Sequence, residues 1–490
     1  MPAAAITTEA QEPPKRTYHF VHVMPYRVVS VKDDGRVFVR FSNGLTVIFD
    51  QDEFMVLSRI PAHYATVPFN TGKELEVLEN LKKLGVVHEI DRPKPSFYFV
   101  YKVTKGCNLA CRYCYEWANP EKISQKAKIE VADKLLSMTQ DAYVNFVFHG
   151  GEPTLYFDDV IVPIVTKWMP ESKDSPERKR LKFGMQSNGV RFADENFAKR
   201  FAEFHKKYGF TVGISLDGMK EHNWLRQFPD GSPAWDYTVR GIKNLHKYGV
   251  KNVGLIIVVN DRSVKDFVGI AEWLVEDLGI TRSRFNPLYP AGHPEVIKHA
   301  PDPEDYISQT LRLAKWEIEK NIDGDEVKPY FVSTTIAEHV QAMLMRSSNV
   351  CVNTVCGRGM SFFAIEPNGD VKPCDHSSRI LGNVLDGWTV WDPVTPELAR
   401  EWAEQSWHFS TIMGGHSECE TCEYRQFCDG GGCPEFLMDI YGKDYWKKAP
   451  RYCWKPFYKF IDKIIESGDL IKLAALDPMH LKDMPWVQPS

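Results

Sequence analysis

Three cysteines on one short stretch form the pattern with the clearest chemistry in this sequence. Cys107, Cys111 and Cys114 stand in a C-x₃-C-x₂-C array, with an aromatic residue directly before the last one. An apolar run at residues 97–103 precedes the array and is typical of a mostly buried strand, so we expect the array on the loop that leaves it. Three thiolates on such a loop can hold three irons of a four-iron cluster and leave the fourth iron open. A zinc site would need a fourth protein ligand close by, and this loop has none. The remaining alternative is that the three cysteines are unrelated core residues.

The array resembles the signature of the radical S-adenosylmethionine (SAM) family, in which the open iron binds SAM and passes an electron to its sulfonium group. A second motif, HGGEP at residues 149–153, follows the second predicted strand of the same region. Gly150 and Gly151 let the backbone approach a ligand closely, and the carboxylate of Glu152 can hold an ammonium group. In the family this stretch binds the amino group of SAM.

Polar residues also follow the next two predicted strands, and the resemblance implies that they contact SAM. Gln186 and Asn188 follow the third strand, and Ser215 and Asp217 follow the fourth, where they suit the ribose hydroxyls and the carboxylate end of SAM. Arg226 can pair with the SAM carboxylate through two hydrogen bonds. The fifth strand offers an apolar edge for the adenine. The residues predicted to bind the cofactor are therefore Tyr113, opposite that edge, Gly150, Gly151, Glu152, Gln186, Asn188, Ser215, Asp217 and Arg226.

Strand-like runs and amphipathic helical stretches alternate from residue 97 to residue 300. The runs lie at residues 97–103, 144–148, 182–185, 211–215, 253–259 and 285–288. Alternation of this kind predicts an α/β fold with a parallel sheet. Six units suit a partial (β/α)₆ TIM-like barrel, whose chemistry lies at the carboxyl ends of the strands, where the motifs above fall.

Residues 17–92 are predicted to form a separate small α+β domain. Four strand-like segments come first, two of them joined by the turn sequence Ser42-Asn43-Gly44, and two helical stretches follow. This order resembles the PqqD-like, winged-helix-like modules that capture a leader peptide at an exposed sheet edge. A plain packing domain remains the alternative.

Length and composition limit the possible classes of protein. At 490 residues the chain is too long for a single core, and 43% apolar residues, 26% charged residues and a net charge of −5 are typical of a soluble globular protein. Mild acidity argues against a nucleic-acid surface. No apolar run reaches the length of a membrane span, and residues 1–16 lack the apolar core of a signal peptide, so we expect no membrane partner and a cytoplasmic location.

A second cysteine set lies in the C-terminal part of the chain. It consists of Cys351, Cys356, Cys374, Cys419, Cys422, Cys428, Cys433 and Cys453. Eight thiolates are the number needed for two fully ligated four-iron clusters, and equally for two Cys₄ zinc sites. The cysteine loop upstream favours iron–sulfur chemistry. The set therefore predicts two further metal centres.

This set resembles the SPASM extension of radical SAM enzymes, which carries two auxiliary [4Fe–4S] clusters. The resemblance implies one cluster on Cys351, Cys356, Cys374 and Cys433, and another on Cys419, Cys422, Cys428 and Cys453. It also implies a catalytic role for Asp375, because an Asp at this place is the general base of anaerobic sulfatase-maturing enzymes. We expect the anionic cluster to raise the proton affinity of Asp375. A surface Asp in a turn is the alternative.

Together these resemblances imply a radical SAM maturase with three [4Fe–4S] clusters. It would generate a 5′-deoxyadenosyl radical from SAM and oxidise or crosslink, by a thioether or carbon–carbon bond, a residue of a ribosomally made peptide or partner protein. Flavodoxin or ferredoxin would supply electrons. Alternatives are anaerobic sulfatase maturation, which converts Cys or Ser to formylglycine, action on a small metabolite, and a zinc-stabilised peptide-binding adaptor without catalysis.

The predicted organisation of the chain has six segments. They are a disordered tail at 1–16, the peptide-recognition domain at 17–92, the barrel at 97–300, a helical bridge at 301–349, the SPASM domain at 350–455 and a C-terminal tail at 456–490.

Overall fold

The computed structural model describes most of the chain in two compact units. The described residues are 18–23, 26–31, 34–41, 45–60, 65–68, 72–89, 96–116, 121–172, 174–288, 294–345, 359, 361–391, 422–424 and 452–481. The first unit comprises Met1–Pro93 with Leu344–Ser347, and the second comprises Lys94–Met343 with Ser348–Ser490.

The first unit contains two small antiparallel sheets and two helices. Its strands are β1 (Tyr18–Val23), β2 (Tyr26–Val31), β3 (Val37–Phe41), β4 (Thr46–Phe49), β5 (Ala65–Pro68) and β6 (Val87–Glu89), and its helices are α1 (Gln51–Arg59) and α2 (Gly72–Lys83). The sheet orders are β5-β1-β6 and β2-β3-β4. Asp50 starts α1 with a capping box, in which its carboxylate accepts from the Glu53 amide. Leu57, Leu78 and Leu81 are buried in the core between these elements.

A ten-stranded sheet organises the second unit. Its strands are β7 (Ser96–Thr104), β8 (Tyr143–Gly150), β9 (Leu181–Ser187), β10 (Thr211–Ser215), β11 (Gly254–Val259), β12 (Arg282–Pro287), β15 (Val332–Ser333), β16 (Phe362–Ile365), β17 (Asp370–Lys372) and β18 (Gly382–Asn383), while β13 (Ile322–Asp323) and β14 (Glu326–Val327) form a separate hairpin. Strands β7 to β12 are parallel and lie in sequential order. Right-handed crossovers between strands in this order place all connecting helices on one face, as in (β/α) barrels.

Helices connect the six parallel strands and continue beyond them. They are α3 (Gln125–Met138), α4 (Val162–Trp168), α5 (Pro176–Arg180), α6 (Glu195–Tyr208), α7 (Trp235–Lys247), α8 (Phe267–Leu278), α9 (Pro303–Asn321), α10 (Thr334–Met345), α11 (Lys455–Ser467) and α12 (Ile471–Leu476). Helix α6 illustrates how the sequence sets their bounds. Asp194 caps its first turn by accepting from the amides of Asn196 and Phe197, and Gly209 ends it in the left-handed conformation. The buried face of α6 is aromatic and includes Phe197, Phe201 and Phe204.

The sheet extends beyond the six predicted strands at both edges. On one side β15 pairs in parallel with β12, so the segment 301–349, predicted as a helical bridge, contributes a strand as well as α9 and α10. On the other side β16 pairs in parallel with β7, and β17 returns through a turn at Asn368-Gly369. The predicted SPASM segment is therefore joined to the barrel sheet by hydrogen bonds.

The segment after residue 455 also differs from the prediction. It was expected to be a tail, but α11 buries Phe457, Ile461 and Ile464, and α12 buries Leu473 and Leu476. None of the helices among the described residues is both long and apolar enough to cross a membrane.

Candidate active site

The cysteine loop leaves β7 and is anchored on two sides. Its first turn is closed by side chains, because the Thr104 hydroxyl accepts from the Gly106 amide at 2.9 Å and the Glu121 carboxylate accepts from the Lys105 amide at 2.8 Å. Further along, the amides of Ala110 and Arg112 donate to backbone carbonyls of residues 227 and 225 at 2.8 and 3.0 Å. These bonds fix the backbone that carries the three cysteines.

The two glycines of the HGGEP segment pack directly against the cysteine loop. The Gly151 amide donates to the Thr104 carbonyl at 2.7 Å, and the Glu152 amide donates to the Gly106 carbonyl at 2.9 Å. A Cβ atom on Gly151 would lie only 2.1 Å from the Gly106 carbonyl oxygen, and Gly150 adopts a φ of 113°. Both positions therefore require glycine, because the backbone here lies directly against residues 102–106.

Glu152 is held in place by its own chain. Its carboxylate is fully buried and accepts from the Thr154 amide at 3.0 Å, the Thr154 hydroxyl at 2.6 Å, the Ser187 hydroxyl at 2.8 Å and the Asn188 amide at 2.8 Å. Three of these donors reach Oε1 and one reaches Oε2. Glu152 thus ties the end of β9 to the HGGEP segment, and its contact with the amino group of SAM stays a prediction.

Asn188 brings the end of β9 to the first cysteine. Its side-chain amide donates to Asn108 Oδ1 at 2.7 Å and lies 3.7 Å from Cys107 Sγ. The Leu109 amide also points to Cys107 Sγ, at 3.3 Å. Both contacts supply N–H groups to this sulfur, which favour a thiolate over a thiol.

Tyr113, Asp217 and Arg226 form a buried chain of hydrogen bonds. Tyr113 donates to Asp217 Oδ2 at 2.7 Å, and Arg226 donates to the Tyr113 hydroxyl at 2.7 Å. Burial raises the pKa of Asp217, although Arg226 and the hydrogen bond from Tyr113 oppose the shift. Arg226 keeps a buried Nε without a hydrogen-bond partner among the described residues. These three predicted residues thus lie together, and Arg226 retains one donor for another group.

The remaining predicted contacts also lie at the strand ends. Gln186 donates to the Ser215 hydroxyl at 2.9 Å, which joins the ends of β9 and β10. Tyr113 and Val258 pack partly buried against the cluster of Leu225, Leu288 and Val296. Val258 belongs to β11 and lies within the fifth predicted strand at 253–259.

Asp375 lies beside the cysteine loop, in contact with two side chains that the sequence analysis did not single out. Tyr115 donates a hydrogen bond to its Oδ2, and the Lys102 ammonium lies 3.0 Å from its Oδ1. Burial by itself would raise the pKa of Asp375, but the positive charge of Lys102 and the hydrogen bond from Tyr115 outweigh it and hold the pKa well below its usual range. The expected rise in proton affinity came from an anionic cluster, and the protein side chains around Asp375 shift its pKa in the opposite direction.

Lys102 contacts two more carboxylates, those of Glu116 and Glu366. Burial favours the neutral amine, yet the three carboxylates raise the pKa of Lys102 above its usual value, so Lys102 is charged. A lysine within the apolar run of β7 was the available sequence signal, since a buried cation requires anionic partners. The partners themselves lie up to 273 positions away along the chain, which the sequence does not reveal.

Comparisons with known proteins agree with this geometry. The model of the Radical SAM superfamily matches residues 101–274. A serine-type anaerobic sulfatase-maturating enzyme of Bacteroides thetaiotaomicron is 30% identical over 416 residues, which cover 77% of this chain and 92% of that enzyme. The chain belongs to the radical SAM superfamily. The resemblance predicted from the cysteine array is confirmed, and the protein is an enzyme.

Two further relatives extend this result. A cysteine-type anaerobic sulfatase-maturating enzyme of Clostridium perfringens is 26% identical over 357 residues, which cover 69% of this chain and 88% of that enzyme. The solved structure of native anSMEcpe with bound AdoMet and Cp18Cys peptide shares the fold, with a TM-score of 0.56 and 21% identity over 78% of this chain and 99% of that one. The match to that structure thus covers most, but not all, of the chain.

Membership in the superfamily implies SAM and a SAM-binding [4Fe–4S] cluster, and the cysteine loop fits that group. Burial, with the nearby Glu152 charge, raises the pKa of Cys107 to about 12, and burial also raises the pKa of Cys111. The three sulfurs lie close enough to affect one another electrostatically. In the described ranges, however, no three Cys, His, Asp or Glu side chains converge on a single ion. Three thiolates on one loop are the donor set that three irons of such a cluster need, with the fourth iron left open for SAM.

The C-terminal cysteines are only partly within the described residues of this radical SAM enzyme. Cys374 and Cys422 are partly buried and Cys453 is exposed. The other predicted ligands lie outside the described residues, namely Cys351, Cys356, Cys419, Cys428 and Cys433. Cys374 directly precedes Asp375 and follows β17, so it lies next to the Lys102 contacts described above.

Proposed function

We propose that this radical SAM enzyme is a maturase that oxidises or crosslinks a residue of a ribosomally made peptide or a partner protein. The observation that carries the proposal is the hydrogen bond from Tyr115 to Asp375. It joins the residue after Cys114 to the residue after Cys374, so the candidate base lies beside the candidate radical source. Peptide and protein maturation needs both a hydrogen-abstracting radical and a group that removes a proton afterwards.

In this proposal Cys107, Cys111 and Cys114 hold the SAM-binding cluster. When bound, that cluster supplies the electron that cleaves SAM to methionine and a 5′-deoxyadenosyl radical. Arg226 and Tyr113 orient SAM, and Gln186, Asn188, Ser215 and Asp217 complete its site at the strand ends. The Gly150-Gly151 backbone packs directly on the cysteine loop and leaves no space there for side chains or water.

Asp375 is the proposed acceptor of the substrate proton. Its carboxylate is ionised, so Oδ1 or Oδ2 can take up a proton, and Lys102 and Tyr115 hold it in one orientation. We assign two auxiliary [4Fe–4S] clusters to the eight C-terminal cysteines, with Cys374 as the ligand next to this base. They would supply an exit for the second electron, and an external flavodoxin or ferredoxin would supply the first.

A second candidate is the conversion of a Cys or Ser residue of a sulfatase to formylglycine. The match to a serine-type sulfatase-maturating enzyme over 92% of that enzyme favours it. The match to the solved anSMEcpe structure, however, leaves 22% of this chain uncovered, since it covers 78%. We assign the unit before Pro93 to capture of a leader peptide at a sheet edge, which sulfatase maturation does not require.

The first test is iron, labile sulfide and zinc per chain after anaerobic purification. Three four-iron clusters predict about twelve irons. About four irons with about two zincs would make the C-terminal region a structural zinc module and refute the auxiliary clusters.

The second test uses Asp375→Asn with dithionite, SAM and a panel of synthetic Cys- and Ser-containing peptides. We expect this variant to form 5′-deoxyadenosine at the wild-type rate while the peptide product, detected by mass spectrometry, is lost. Normal product formation would exclude Asp375 as the base. Fragmentation of the product separates a crosslink from formylglycine. Removal of residues 1–92 should abolish turnover of a leader-bearing peptide and spare a sulfatase-type peptide.

A further inference from the structure

A single buried lysine connects the surroundings of both cysteine regions. Lys102 lies on β7 with a side chain that is 2% exposed. Its ammonium group pairs with Glu116, lies 3.0 Å from Asp375 Oδ1 and lies 3.4 Å from Glu366 Oε1. Glu116 stands two residues after Cys114, Asp375 one residue after Cys374, and Glu366 directly after β16. One cation therefore contacts three carboxylates from three segments.

The cluster around Lys102 is balanced in charge. Two more cations reach Glu366, with Lys105 Nζ at 2.7 Å from Oε2 and Lys372 Nζ at 2.7 Å from Oε1. The six charged side chains in contact are thus three cations and three carboxylates: Lys102, Lys105, Lys372, Glu116, Glu366 and Asp375. Lys105 and Lys372 are 34% and 18% exposed, so only Lys102 is a fully buried cation within this set. Its removal would leave Glu116 and Asp375 buried without their cation, which is strongly unfavourable.

We propose that Lys102 is a positioning residue, which holds the turn after Cys114 against the turn after Cys374 and thereby fixes Asp375 beside the cysteine loop. The Tyr115–Asp375 hydrogen bond spans the same two turns, but a single neutral donor does not balance a buried carboxylate. The inference deepens the proposed function and rests on it in one respect, since it takes Cys374 as the ligand of an auxiliary cluster.

The matched control is the partly buried ion pair between Arg284 and Glu338. Arg284 is 23% exposed, lies on β12 at five strands from β7 in the sheet, and pairs with a carboxylate of α10. Arg284→Met removes a cation from a partly buried ion pair that contains neither Lys102 nor any of its three carboxylate partners. This variant therefore shows how far the removal of such a cation by itself changes the hydrogen exchange and the cluster potentials.

The experiment compares full-length, anaerobically reconstituted wild type, Lys102→Met, Lys102→Arg and Arg284→Met. Hydrogen exchange is followed at residues 114–116 and 374–377, and the cluster potentials are measured by redox titration with electron paramagnetic resonance. In Lys102→Met we expect both turns to exchange together, roughly tenfold faster or more. We also expect the midpoint potential of one cluster to become more negative, because a nearby positive charge is lost. Lys102→Arg should restore the potential, and Arg284→Met should change neither quantity.

Wild-type exchange and wild-type potentials in Lys102→Met would overturn the proposal, and so would equal changes in Arg284→Met. If Lys102→Met fails to assemble, the Lys102→Arg variant decides the question. A wild-type midpoint potential together with slow hydrogen exchange in both turns supports the positioning role of Lys102, and fast hydrogen exchange in these turns refutes it. Neither measurement uses a peptide, so the proposed substrate class can fail while the positioning role stands. If the iron content shows no auxiliary cluster, the exchange data still test the contact itself.

Discussion

Gly151→Ala tests the packing of the HGGEP segment on the cysteine loop. A Cβ atom at this position would lie 2.1 Å from the Gly106 carbonyl oxygen, 2.5 Å from the Gly106 carbonyl carbon and 2.7 Å from the Lys105 carbonyl oxygen. All three atoms belong to backbone, so no side chain can rotate away. Restoring an ordinary contact of about 3.4 Å to the nearest atom requires a displacement of about 1.3 Å, the difference between 3.4 and 2.1 Å.

That displacement acts directly on the residue before Cys107. The Gly106 carbonyl also accepts from the Glu152 amide at 2.9 Å, so a shift breaks the bond that holds the two segments together. Overpacking of this kind costs about 1–3 kcal/mol of stability. A misplacement of about 1 Å in an active site can reduce a rate roughly 10²-fold. We therefore expect Gly151→Ala to cleave SAM about 10²-fold more slowly than wild type.

The assay is 5′-deoxyadenosine formation with dithionite and SAM, together with iron per chain. The control is Gly254→Ala at the start of β11, where an added Cβ meets no heavy atom within 4 Å. It should cleave SAM at the wild-type rate. A Gly151→Ala enzyme with wild-type iron and a wild-type cleavage rate would show that the two segments separate without cost, and the reasoning would fail.

Three other perturbations test the site and its scaffold. Cys107→Ala should abolish SAM cleavage in the same assay, and retained cleavage would remove this thiol from the cluster ligands. Tyr113→Phe should lower the free energy of unfolding by about 1–3 kcal/mol, because Asp217 and Arg226 lose the hydroxyl between them. Denaturant unfolding measures this difference, and the control is Tyr143→Phe at a side chain that is 46% exposed. Burial raises the pKa of Glu317 well above its usual value, so the folded state keeps its proton while the unfolded state loses it above about pH 4.3. Above that pH, the free energy of unfolding of wild type should therefore fall by about 1.4 kcal/mol per pH unit relative to that of Glu317→Gln. Parallel pH dependences of the two proteins in thermal unfolding would contradict a protonated Glu317.

The parts of the fold that repeat a local pattern were predictable from the sequence. The run predicted as a strand at residues 97–103 is β7, and the strands at 211–215 and 253–259 agree with β10 and β11 within one residue. Each has buried residues in a regular pattern, which the sequence displays directly. The two-residue strand β15 has no such pattern, because its pairing with β12 depends on its neighbours in space.

The candidate site was also only partly predictable from the sequence. Glycines and cysteines at fixed spacing identified the loops, because their chemistry depends on residue type alone. The hydrogen bonds of Glu152 were only partly predictable, since the donors from residues 187 and 188 reach its carboxylate only after β8 and β9 have paired. A carboxylate near a ligand loop has the same sequence signature whether it binds the ligand or supports the loop.

Asp375 shows why charge must be counted over all neighbours before a proton-transfer role is assigned. Its adjacent cysteine suggests a negative neighbour, which would favour the protonated acid. The fold also places Lys102 against it, from a strand that precedes it by 273 positions. In the proposed function, an ionised, oriented carboxylate accepts a proton at once but holds it weakly, so the substrate proton must be unusually acidic. A carbon-centred radical next to a heteroatom has that property, and the Asp375→Asn experiment tests whether this carboxylate accepts the proton.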